Sequence, residues 1–222
     1  MKRPLAAALF FTLLSACSGT PPPADWKMNA VSLLEHAQQR WLEGDSKSAE
    51  LALGKARQEI AKSARIDLLA RAELAACATR VASLDFSACA AFDAVASDAD
   101  AHDKAYARFL AGDWSGLDAK ALPLHYTSLL GAKDDAEANR AVAEIKEPLA
   151  RLIATALLFR SGRLAPAALN AAIDTASERG WRRPLLAWLD VQLKRAKASG
   201  DAGAAAMLQR RIELVLGPAK PP

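Results

Sequence analysis

Apolar positions recur at helical spacing through most of the chain. Ile66, Leu69, Ala70, Leu74, Cys77, Val81 and Leu84 mark one side of a 3.6-residue repeat. The pattern predicts helices near 27–42, 47–62, 65–82, 87–96, 101–110, 123–130, 135–145, 148–160, 166–178, 184–198 and 202–216. Pro123, Pro148, Pro166 and Pro184 suit first-turn positions, where the missing N–H costs nothing, and Gly217-Pro218 is a stop. Alanine, the best helix former, is abundant, and β-branched residues are scarce. The predicted fold class is all-α, with successive helices joined by short links and packed antiparallel.

One phrase returns along the chain. WLEGDSKSAELA (41–52), FLAGDWSGLDAKA (109–121), LFRSGRLAPAALNA (158–171) and AKASGDAGAAA (196–206) each place a glycine between two helical runs. In the first copy Ala37, Gly44, Ala49 and Ala56 stand at small-residue positions, and Leu33 and Leu53 at bulky ones. That copy resembles a tetratricopeptide repeat, although His36 and Arg40 replace the bulky residues expected there. The glycines lie 68, 50 and 38 residues apart, against a family period of about 34. Two arrangements remain open: a degenerate tetratricopeptide-like array of helical hairpins, or an irregular helical bundle with glycine turns.

The first residues are of a different kind. Lys2 and Arg3 precede an apolar run from Leu5 to Leu14, which is too short to span a bilayer. Leu14-Ser15-Ala16-Cys17 resembles the bacterial lipobox. The resemblance implies cleavage before Cys17, a diacylglycerol on its thiol and acylation of its new amine. Two or three chains on one residue meet the need for more than one anchoring signal. Ser18 stands where an inner-membrane retention signal would carry Asp, so the expected address is the outer membrane, facing the periplasm. Pro21, Pro22 and Pro23 then act as a semi-rigid spacer. The expected layout is a signal at 1–16, a lipidated tether at 17–25, one all-α domain at 26–217 and a tail at 218–222.

An oxidising compartment changes how the other two cysteines read. Cys77 and Cys89 flank an expected bend near Ser83, and a bridge between them would pin a helical hairpin. Two buried free thiols are the alternative. A metal site on this pair would lack third and fourth ligands.

Chemistry is otherwise sparse. GDWSG (112–116) places Ser115 one position late for a hydrolase elbow, and it lies between helices. His36, His102 and His125 are isolated. Asp98, Asp100, His102 and Asp103 could gather a hard cation, but the turn glycine and distal Glu of a calcium loop are missing. Asp100 as N-cap and Asp103 in the first turn explain them as well. No cofactor motif is present and no enzymatic activity is expected.

Trp181, Arg182 and Arg183 form the candidate partner-binding cluster, since Trp and Arg are enriched at binding hot spots. The competing reading packs Trp181 at a helix start after the Gly180 stop. Charge divides unevenly, with a net of −5 over residues 17–150 and +7 over 151–222. Such asymmetry can steer an acidic partner or an anionic lipid surface, or be no more than an uneven solvated face. Nucleic acid is not an expected partner of an exported lipoprotein. Lipoproteins with tetratricopeptide-like bodies serve envelope assembly, so the expected role is a non-catalytic adaptor for an envelope protein. A carrier of a lipid or small apolar ligand is the alternative.

Overall fold

A computed structural model describes residues 24–217, and every described element is helical. The expected signal, Cys17, Pro21–Pro23 and the 218–222 tail lie outside the described residues. Eleven α-helices follow in order: α1 Asp25–Glu43, α2 Ser46–Ala61, α3 Ile66–Val81, α4 Ala90–Asp93, α5 Ala101–Ala111 and α6 Thr127–Leu130. Then come α7 Asp135–Glu144, α8 Pro148–Arg160, α9 Pro166–Glu178, α10 Arg182–Ala198 and α11 Ala202–Leu216.

Proline and glycine account for much of this punctuation. Pro148 and Pro166 open α8 and α9. At the four recurring glycines φ is +96° (Gly44), +81° (Gly112), +75° (Gly162) and +75° (Gly200). The residue after each donates its N–H back to a carbonyl five positions earlier: Asp45 to Arg40, Asp113 to Arg108, Arg163 to Leu158 and Asp201 to Ala196. These are helix-ending Schellman turns, which need the left-handed region and therefore favour glycine. Asp45 and Asp201 then cap the next helix, accepting from the Ser48 and Ala204 N–H groups.

Segment 87–96 departs from the expected helix. Leu84 turns at φ +61°, Ser87 N–H folds back onto Asp85 Oδ1 at 3.0 Å, and only the single turn α4 follows, then a 3-10 turn at Ala96–Asp98. Tertiary anchors override the local preference. Cys89 is bonded to Cys77, with Cα atoms 5.7 Å apart, and Phe92 is 3% exposed in the core.

Helix α3 occupies the centre. Ala70, Ala72, Glu73, Leu74, Cys77, Ala78, Thr79 and Val81 are all buried, so it is enclosed on more than the one side its apolar spacing marks. It packs against α1, α2, α4, α5 and α8. The first hairpin is tightly joined through Ala37, Ala49, Ala52 and Ala56, whose small side chains let α1 and α2 approach closely. In a one-dimensional array each unit touches only its neighbours. Here α3 also meets α8 and α1 meets α10; the main core runs from α3 to α11, while two smaller clusters, around Ala30, Ile60 and Ala72 and around Ala37, Ala52 and Leu53, hold the first hairpin. Trp188, fully buried, sits in the main core edge-on to Phe159 at 5.9 Å.

Candidate interaction groove

The sequence-chosen cluster at the α9–α10 turn is occupied by the fold itself. Trp181 is 7% exposed, and its Nε1–H donates to Gln39 Oε1 at 3.3 Å. Arg183 Nε donates to the Trp41 carbonyl at 2.7 Å and an Nη group to Ser46 Oγ at 2.6 Å. Its guanidinium carbon stands 4.1 Å above the Trp41 ring centroid, a cation–π contact. Burial lowers the Arg183 pKa below that of a free guanidinium. Arg182, exposed, donates to the Val215 and Leu216 carbonyls at 3.0 and 3.4 Å, where a cation suits the C-terminal end of α11. Trp181 and Arg183 are thus taken up inside the fold, while Arg182 stays exposed. These side chains fasten α10 to the α1–α2 hairpin and α11 to α10, because their best partners are buried rings and helix-end carbonyls.

The acidic cluster is satisfied internally as well. Asp100 caps α5, accepting from the Asp103 N–H at 2.8 Å. Arg71 reaches both acids, 2.6 Å to Asp100 and 3.2 Å to Asp103. The Asp103 N–H, and then Arg71, hold Asp100 below the usual carboxylate range. Among the described residues no three His, Cys, Asp or Glu side chains converge to hold a metal. The histidines stand apart. His36 accepts from Arg40 at 3.1 Å, His102 lies 3.2 Å from the Ala121 carbonyl, and His125 packs edge-on to Tyr126. Burial lowers the His125 pKa. Ser115 offers its carbonyl to Arg108.

What the sequence did not point to is a groove where α1, α2, α3 and α4 meet, with a volume of about 230 Å³. Its walls are apolar: Val31, Leu34 and Trp41 from α1, Leu53 from α2, Phe92 from α4. Arg57 and Glu73 cross its floor as a bidentate pair at 2.5 and 2.8 Å. Glu73 is only 6% exposed, and its hydrogen bond raises the Arg57 pKa above the ordinary value. Glu35 and Glu50 stand on the rim, both exposed, and neither takes a salt bridge among the described residues. Deeper in, Trp41 Nε1 and Arg80 Nε are buried with no hydrogen-bond acceptor. An unpaired buried donor costs about 1–3 kcal/mol.

The disulfide belongs to this site. Cys89, half-buried, lines the groove, and the bond to Cys77 on α3 holds the wall that carries Phe92. Val31 is 49% exposed, and Met28, one turn before it, 48%, so the apolar stripe continues outward along α1. Comparison of the chain with protein-family models, curated proteins and solved structures finds no match.

Proposed function

We propose that this chain is a periplasm-facing lipoprotein, anchored in the outer membrane through lipid on Cys17, that works as a non-catalytic adaptor. Its partner is another envelope protein, and the docking site is the α1–α2–α3 groove. The observation that carries this reading is the pairing of apolar walls with the unpaired rim carboxylates Glu35 and Glu50. Such a site fits a peptide segment with one or two bulky apolar anchors and a Lys or Arg beside them. The lipobox-like Leu14–Cys17 and the proline spacer supply the tether. A small apolar ligand fits less well, because the charged Arg57–Glu73 pair lies across the groove floor.

The test is in-cell photo-crosslinking of the full-length chain with the reactive side chain at Val31, and at Lys133 as a distant control. A discrete adduct at Val31, absent at Lys133 and lost with Glu35→Lys/Glu50→Lys, is expected. Equal labelling at both positions would refute the docking site. Labelled palmitate should enter the wild-type chain and not Cys17→Ser; incorporation in neither would refute the anchor on its own.

A further inference from the structure

The last helix has an unpartnered outer side. α11 turns Ala205, Leu208, Ile212 and Val215 toward the core and packs on α10. Its other side leaves Met207 47% and Leu214 82% exposed. Met207 and Leu214 are two turns apart and share one face, with Arg210 between them. A terminal helix of a soluble helical stack ordinarily carries a polar outer face.

The charge around this stripe says what covers it. α11 carries Arg210 and Arg211 against a single acid, Glu213. Residues 179–217 together hold eight Lys or Arg and three Asp or Glu. A second copy laid on the same face would set Arg210 and Arg211 against their own equivalents. An anionic bilayer surface accepts both features: exposed Leu and Met side chains enter the acyl boundary while guanidinium groups meet phosphate.

We propose that the face of α11 bearing Met207 and Leu214 rests on an anionic lipid surface, with those two side chains inserted and Arg210 and Arg211 paired to phosphates. The setting rests on the membrane attachment proposed above; the contact itself does not need the lipid on Cys17. It gives the chain a second hold on the bilayer and orients the body relative to it.

The test uses the full chain carrying Cys17→Ser and Leu214→Cys, spin-labelled at 214, with phosphatidylcholine vesicles with and without about one-third phosphatidylglycerol. Collision accessibility to oxygen and to a water-soluble nickel chelate reads the depth of the label. The expected result is a label below the phosphate plane on anionic vesicles and in water on neutral ones. Arg210→Gln/Arg211→Gln should lower partitioning roughly 30-fold, and 0.5 M salt, roughly three times physiological ionic strength, should release the contact. A chain that sediments with the vesicles while residue 214 stays in water would overturn the contact and leave the anchor standing. Absence of sedimentation with anionic vesicles would overturn it equally, with palmitate labelling still judging the anchor. Concentration-dependent immobilisation of the label without vesicles would assign the face to a second copy instead.

Discussion

Arg183 is the joint between residues 142 apart in sequence, and its removal can be worked through contact by contact. Arg183→Met keeps most of the aliphatic stem and removes three interactions. The first is the charged hydrogen bond to the Trp41 carbonyl at 2.7 Å; bonds of this class contribute about 1.5–3 kcal/mol. Stacking on the Trp41 ring at 4.1 Å adds about 1 kcal/mol at a half-buried site. The bond to Ser46 Oγ, itself on an exposed residue, adds about 0.5 kcal/mol. Against these stands the cost of desolvating the guanidinium, which its lowered pKa reflects and which methionine escapes. The expected net loss is about 2 kcal/mol. Urea unfolding followed by tryptophan fluorescence measures it. A double-mutant cycle with Trp41→Leu isolates the ring contact, expected near 1 kcal/mol, and a cycle with Ser46→Ala the hydroxyl contact. A loss under about 0.5 kcal/mol, or no coupling to Trp41, would refute the view that Arg183 ties α10 to the first hairpin.

Three further outcomes follow from the packing. Cys77→Ala/Cys89→Ala opens a loop with a sequence separation of 12 and should cost about 3 kcal/mol in urea unfolding, matched by reduced wild type; an unchanged midpoint would count against a bridging role. Arg57→Ala strands the Glu73 carboxylate at 6% exposure and should cost about 2–3 kcal/mol, whereas Arg57→Leu/Glu73→Leu should cost less, because no charge is left buried. Of the two tyrosines of the chain, Tyr126 is buried and Tyr106 half-buried: burial pushes Tyr106 up to about 12 and holds Tyr126 well above the usual phenol value. Burial favours the neutral phenols in the fold, so their contribution is complete below pH 10 and is lost as pH rises toward and through 12. Absorbance titration at about 295 nm should show no tyrosinate near pH 10 while the protein is folded, and stability should fall from there upward. A midpoint near 10 in the folded protein would contradict the burial.

Helix boundaries were legible where backbone chemistry alone sets them. Pro148 and Pro166 start their helices as the sequence indicates, and the recurring glycines all take the left-handed turn. Pro184 falls in the first turn of α10, two residues after its start at Arg182, with Trp181 in the N-cap position held by its bond to Gln39. The segment after Cys77 misled because Cys89 and Phe92 are placed by α3 and the core, not by their neighbours. The groove was illegible for a related reason. Its floor pairs Arg57 with Glu73 across two helices, and each alone reads as an ordinary surface charge. Trp181-Arg182-Arg183 showed the converse: residue types suited to a hot spot, with their partners already supplied by Gln39, Trp41, Ser46 and the end of α11.

The Arg183–Trp41 joint also sets an order of events during synthesis. The first hairpin leaves the ribosome with its α10-facing side uncovered, and its fastening residue follows 142 positions later. At 5–20 residues per second that delay is on the order of ten seconds. Closing so long a span costs roughly 4 kcal/mol of chain entropy before any contact repays it. The contact that completes the bundle is therefore among the last to form. Until then the nascent chain presents Trp41 and the apolar side of α1 to whatever escorts it.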